Sequence, residues 1–310
     1  MSVRVGVGLG RFVFGDISGF RAWLDLCEAG EIDSIWQSDR VISRDFFHEP
    51  LSLLSMVAGA TRRLKIGTNA VVLGFRDPVT FARQCASIDH LSEGRLLPVV
   101  GVGAEASEAW RATGRTPKRR GARANEALEV MTRLWSEESV SFKGEFIQVD
   151  DATISPRPVQ QPLPLWVGGA SRAAIRRTVR YGTGWLAGLQ DLEGALVTAA
   201  AIREENRIQK GSVASDHYGA TILYRIAPSG EISEPDSSVG GRLKGAAKLM
   251  VSGSADVLID RLQAYVDGGI TKFVAIALAR DESDLMEQTR LLDSEVIPEV
   301  KKMRMPDSLV

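Results

Sequence analysis

Cysteine, histidine and long uncharged apolar runs are scarce in this sequence, and each scarcity removes a class of chemistry. The two cysteines, Cys27 and Cys85, both lie in apolar stretches with helical spacing. They read as buried thiols in a reducing compartment, not as a disulfide framework or a metal pair. His48, His90 and His217 stand isolated, and none has metal-ligand spacing to a second His or Cys. No uncharged apolar run approaches the roughly 18–20 residues that a bilayer span needs. The N-terminal MSVRVGVGLG alternates with glycine and is too short for the apolar core of a signal sequence. A cytoplasmic protein without a membrane partner is expected. There is also little charge of one sign: 38 basic and 39 acidic residues leave a formal net charge of −1. That balance supplies no field for nucleic acid. The sequence has no G-x-S-x-G elbow and no P-loop, which sets aside the common hydrolase and nucleotidase layouts.

What is present is a rhythm. Val3 to Leu9 is β-branched and ends in glycine, and the helical stretch from Ser18 stops at Gly30. Predicted strands follow at Ile32 to Gln37, Leu64 to Leu73, Arg95 to Val102, Leu165 to Val167, Gly184 to Ala187, His217 to Ile226 and Lys272 to Leu278. Predicted helices alternate with them: Glu49 to Thr61, Val79 to Leu91, Arg119 to Trp135, Ser171 to Arg180, Asp191 to Lys210, Asp256 to Asp267 and Glu282 to Glu295. Alternation implies parallel strands with right-handed crossovers. Eight such units in 310 residues predict an α/β fold, a (β/α)₈ TIM barrel in one domain, over an open doubly wound sheet. Two segments interrupt the rhythm and read as insertions. Ser139 to Pro164 combines a short extended pair with a Pro-rich run, and Pro228 to Gly253 is rich in Gly, Ser and charge. The second follows strand seven, where a long loop would serve either as a lid or as plain surface.

In such a barrel the chemistry belongs after the C-terminal ends of the strands. Asp39-Arg40 follows strand two and could orient a polar cofactor edge or form a structural ion pair. Asn69-Ala70 lies where small residues let a planar ring approach the backbone. Gly103 closes a G-x-G after strand four, and Glu108 beyond it is a candidate acid or base. Gly168-Gly169-Ala170-Ser171 precedes a helix. Free N–H groups, two glycines and a hydroxyl there suit a phosphate, although Ser171 also reads as a plain N-cap. Arg120 and Arg123 sit with Arg119 at a helix start, where cations oppose the dipole unless an anion is near.

These residues carry a resemblance. The stretch from Leu64 to Gly103, LKIGTNAVVLGFRDPVTFARQCASIDHLSEGRLLPVVGVG, is similar to the core signature of the bacterial luciferase-like monooxygenases. IDSIWQSDR (Ile32 to Arg40), RGARANEALEVMTRLW (Arg120 to Trp135), ISPRPVQQPLPLWVGGAS (Ile154 to Ser171) and YGTGWL (Tyr181 to Leu186) resemble further motifs of that family, in its order. The resemblance implies reduced FMN or the deazaflavin coenzyme F-420, with the ring across the barrel mouth on a bulge after strand three. It implies a non-proline cis peptide at about Asn69-Ala70, and phosphate at Gly169, Ala170 and Ser171 with help from Arg120 or Arg123. A homodimer, a small-molecule substrate and a separate flavin reductase also follow from it.

The chain departs from the family pattern at two points. Many relatives carry Asp-His after strand two, where Asp39-Arg40 stands here. Sugar-phosphate oxidising relatives carry Glu directly after the G-x-G of strand four, where Ala104 stands and Glu105 comes next. The expected activity is oxygenation of a small organic substrate by reduced FMN. In that reading Asp39 and Asn69 line the ring, and Arg40 faces a negative charge. Hydride transfer with coenzyme F-420 is the alternative. A non-catalytic flavin-binding protein on the same barrel is the alternative from another class.

Overall fold

The structure is a computed structural model that describes residues 2–188, 190–227 and 250–309. Its elements alternate in the expected order. β1 (Arg4–Leu9), α1 (Ile17–Ala29), β2 (Ser34–Gln37) and α2 (Pro50–Ala60) open the chain. β3 (Lys65–Thr68), β4 (Val71–Val72), α3 (Pro78–Leu91), β5 (Leu96–Leu97) and β6 (Val99–Gly101) follow. Next come a short α4 (Ala109–Ala112), α5 (Arg120–Ser136), β7 (Val140–Lys143) and β8 (Gln148–Ala152). β9 (Trp166–Gly168), α6 (Arg172–Tyr181), β10 (Gly184–Ala187), α7 (Leu192–Gln209) and β11 (Tyr218–Ile226) continue the rhythm. β12 (Met250–Gly253), α8 (Ala255–Asp267), β13 (Lys272–Ala277) and α9 (Glu282–Leu291) end it, before a π-helical turn at Leu292–Val296 and α10 (Ile297–Val300).

The predicted strands three and four are each broken. β3 gives way to β4 at a cis peptide between Asn69 and Ala70. β5 gives way to β6 at Pro98, which has no N–H to donate to a ladder. The two halves pair separately, β3 with β5 (Ile66↔Leu96, Gly67↔Leu97) and β4 with β6 (Val71↔Val100, Val72↔Gly101). The parallel order β4-β6-β9-β10-β11-β13-β1-β2-β3-β5 therefore begins and ends on pieces of the same two strands. The sheet closes into the (β/α)₈ barrel, and the open sheet is set aside.

Six of the helices start at a residue whose side chain caps them, Glu49 and Ser171 among them. Asp16 accepts from Ser18 N and Gly19 N, Asp77 from Thr80 N, Asp191 from Gly194 N and Asp281 from Asp284 N. Pro50 and Pro78 stand in the first turns of α2 and α3, where a missing N–H costs least. Asp77, Asp191 and Asp281 follow closely on the ends of β4, β10 and β13. β7 and β8 form an antiparallel pair off the barrel, within the first predicted insertion. The second predicted insertion is corrected in part. Residues 250–253 are strand β12, parallel to β11 through Leu223↔Met250 to Ile226↔Gly253. The lid expected at 228–249 lies outside the described residues.

The barrel interior is filled by Trp36, Leu97, Val99, Trp166, Leu186 and Val274. Two glycines make this possible. A Cβ on Gly67 would lie 2.3 Å from the Trp36 ring, and one on Gly184 would lie 2.4 Å from that of Trp166. Outside the barrel, helix faces such as Phe20, Trp23, Leu24 and Cys27 of α1 pack against the strands. Both thiols are fully buried, and burial pushes their pKa up, which keeps them neutral and unreactive. Among the described residues no helix is long and apolar enough to cross a membrane.

Candidate active site

The C-terminal ends of the strands enclose a cavity of about 670 Å³. That lies within the roughly 300–1,000 Å³ typical of small-molecule and cofactor sites. Its floor is Asn69, Ala70, Val99, Gly168 and Leu186. One wall comes from the end of β1 and the loops after β1 and β2: Gly8 to Arg11, Val13, Ser38 to Arg40, Ser43, Asp45 and Phe47. The opposite wall is apolar: Leu223, Ile276, Leu278, Ala279 and Leu285, with the Thr221 hydroxyl below.

The floor is built at the break between β3 and β4. Asn69 N–H donates to the Gln37 carbonyl at 2.8 Å, so the break stays in register with β2. Thr221 donates to Asn69 Oδ1 at 3.2 Å from across the barrel. Asp39 Oδ2 accepts the Val72 N–H at 3.2 Å, and its Oδ1 faces Arg76 Nη2 at 3.1 Å. Arg76 also reaches Glu49 at 3.1 Å. The Asp39 side chain is 2% exposed, so its negative charge is compensated inside the protein before any ligand arrives. Arg40 points the other way: it is exposed, lies over the Phe47 ring at 5.6 Å and lines the cavity.

The apolar wall is braced from behind. Arg225 donates to the Leu278 carbonyl at 3.1 Å and to Asp284 at 2.9 Å. Burial alone would raise the Asp284 carboxyl, but hydrogen bonds from Arg225 and from the Arg280 N–H hold it below its ordinary value. At the rim, Arg11 donates to the Arg280 carbonyl at 2.6 Å.

Of the residues singled out from the sequence, the structure brings Asp39, Arg40, Asn69, Ala70 and Gly168 onto this one cavity. The others stand beside it or away from it. Gly169, with φ +116°, and Ala170 are exposed at the end of β9, and the Ser171 hydroxyl caps α6 by accepting Ala174 N–H at 3.2 Å. Gly103, with φ +75°, accepts Arg120 Nε at 3.1 Å, while Arg120 also pairs with Glu105 at 3.0 Å. Arg119 pairs with Glu145, and Arg119 and Arg123 both stack on Phe146. Glu108 is exposed at the start of α4, off the cavity wall. Sequence reasoning missed Arg76, Glu49 and Thr221. Nothing local marks them: Arg76 and Thr221 reach Asp39 and Asn69 from distant elements, and Glu49 acts only through Arg76. Among the described residues no group of three or more His, Cys, Asp or Glu could hold a metal ion.

Comparisons with known proteins agree on the architecture. The family profile described as luciferase-like monooxygenase matches residues 4–218. An F420-dependent glucose-6-phosphate dehydrogenase of Kineococcus radiotolerans is 28% identical over 86% of this chain and 88% of its own. A similarly named protein of Amycolatopsis mediterranei is 26% identical over 88% of this chain and 91% of its own. Among solved structures, a monooxygenase from Streptomyces bottropensis superposes with a TM-score of 0.80 at 20% identity, covering 95% of this chain and 99% of that one. An F420-dependent secondary alcohol dehydrogenase does so with a TM-score of 0.81 at 18% identity, covering 97% of this chain and all of the other. At these identities the likeness shows a shared fold.

Proposed function

The chain belongs to the luciferase-like monooxygenase family, and on that footing we propose that it is a flavin-dependent oxidoreductase, foremost a monooxygenase that uses reduced FMN and dioxygen on an apolar small molecule. The observation that carries this reading is the composition of the cavity wall. Its acids are Asp39, committed to Val72 and Arg76, and Asp45 on the loop after β2; no His, Tyr, Cys or Lys lines it among the described residues. Alcohol oxidation by hydride transfer calls for a group that takes the hydroxyl proton. Oxygenation asks mainly for a shielded, well-shaped pocket.

The residues fit such a cofactor. Gly168 leaves room at the floor, since a Cβ there would meet nothing closer than 3.7 Å within the protein. When bound, reduced FMN supplies two electrons to dioxygen, so that one oxygen atom enters the substrate and the other leaves as water. Asp39 holds the Asn69–Val72 floor through Val72 N–H and Arg76. Leu223, Ile276, Leu278 and Leu285 exclude water from the substrate side. Arg40 places a positive charge at the edge of the cavity, where it can face an anionic ring or substrate. Gly169, Ala170 and Ser171 are assigned to the cofactor phosphate, with Arg120 and Arg123 at the neighbouring helix start. Glu108 remains an outer-loop carboxylate. One domain, a homodimer, a separate reductase and a cytoplasmic setting complete the reading, on the family resemblance and the sequence composition.

A second reading, hydride transfer with coenzyme F-420, is favoured by the names of the relatives that align over nearly the whole chain. Titration of the purified protein with FMN, reduced FMN and coenzyme F-420 tests both. Binding of reduced FMN with substrate-dependent oxygen uptake supports the first reading. Binding of coenzyme F-420 with turnover and no oxygen uptake supports the second. Failure to bind any of the three overturns both.

A further inference from the structure

The opposite end of the barrel carries a second cavity, of about 180 Å³, lined by Arg4, Lys65, Lys272, Trp166, His217 and Gln160 among others. Arg4, Lys65, Trp166 and Lys272 stand at the N-terminal starts of β1, β3, β9 and β13, so four strands converge on it. Two of its three cations are balanced. Arg4 pairs with Asp216 at 3.1 Å, and the buried Lys272 pairs with Asp33 and donates to Ser34 at 2.9 Å. Lys65 is the cation in excess, with no hydrogen bond or ion pair among the described residues. Two buried donors also lack a partner: the indole N–H of Trp166, a residue 2% exposed, and Nε of Arg4. Burial first, and then the nearby Arg4, push the pKa of both Lys65 and Lys272 down, as expected where positive charge is crowded and poorly solvated.

A buried donor without an acceptor, beside an unbalanced cation in a cavity, asks for a negatively charged acceptor. We propose that the N-terminal end of the barrel binds a phosphate-sized oxyanion, held by the Lys65 and Lys272 ammonium groups with the Trp166 indole and Arg4 Nε as further donors. The small volume suits a compact oxyanion. The site is separate from the cofactor cavity and independent of which cofactor that cavity takes, because the two lie at opposite ends of the strands.

The experiment is calorimetric titration of the full chain with inorganic phosphate, at ionic strength held constant with chloride. One saturable site is expected, weakened at least tenfold in Lys65→Gln and retained in Lys65→Arg. Trp166→Phe, which removes only the indole donor and part of the ring, is expected to weaken it several-fold. In the wild-type protein, phosphate is expected to slow acylation of Lys65 by an amine-reactive reagent, read by mass spectrometry. Absence of saturable binding means that the cavity holds only water, and overturns the proposal. Equal binding in folded Lys65→Gln, or no protection of Lys65, overturns it as well.

Discussion

Thr68 and Val99 bridge the two broken strands side chain to backbone. The Thr68 hydroxyl donates to the Val99 carbonyl at 2.7 Å and accepts the Val99 N–H at 2.8 Å. The ladder between β3 and β5 ends at Gly67↔Leu97, and the one between β4 and β6 resumes at Val71↔Val100. One buried hydroxyl thus replaces the backbone pairing that the breaks at Asn69–Ala70 and Pro98 remove. Thr68→Val keeps the shape and leaves both Val99 groups without partners. A loss of about 1–3 kcal/mol is expected, read as a lower denaturant midpoint. An unchanged midpoint would show that water or a backbone shift replaces the hydroxyl.

Asp39 acts on the cavity floor through Val72 and Arg76. Asp39→Ala leaves Arg76 with only the half-exposed Glu49 and frees the Val72 N–H. Loss of one partner from a buried pair costs about 3–5 kcal/mol at most, and Glu49 reduces that here. Flavin affinity is expected to fall at least tenfold. Asp39→Asn, which keeps an acceptor for Val72, is expected to fall between the two. Equal affinity in all three proteins would remove Asp39 from the site.

At Gly168 space and function separate. A methyl group meets only the Leu186 and Val100 carbonyls, both at 3.7 Å. Strand alternation points it to the same side as Trp166, into the barrel. Gly168→Ala should therefore keep the thermal midpoint within what surface substitutions give, about 0.5 kcal/mol. Cofactor binding is expected to weaken about tenfold, or roughly 1.4 kcal/mol. Unweakened binding would place the cofactor elsewhere in the cavity.

The Arg225–Asp284 pair predicts an acid-sensitive wall. The folded carboxyl titrates below its unfolded value, since hydrogen bonds from Arg225 and Arg280 outweigh burial. Its contribution is thus fully present above the unfolded aspartate value and is lost as pH falls through the lower, folded one. Wild-type stability is expected to decline more steeply than that of Asp284→Asn across that acid window, with the difference between the two constant above it. Urea midpoints measured through the window check this. Parallel curves would show that Asp284 contributes nothing by charge.

By itself the sequence determined the eight-fold alternation of strands and helices, the proline and acidic starts of the helices, and the turns at Asp39, Asn69 and Gly168 that reach the cavity. These are local matters: apolar periodicity, caps and glycines act within a few residues and leave a readable trace. Tertiary structure alone decided that the halves of strands three and four pair separately and close the barrel, because pairing register depends on the partner strand. It also decided that Asp39 is neutralised by Arg76, that Thr221 reaches Asn69, and that Lys65, Lys272, Arg4 and Trp166 meet around one small cavity. Those contacts join residues tens to hundreds of positions apart. A charge that reads as free along the chain gains its partner, or is left without one, only when the strands converge.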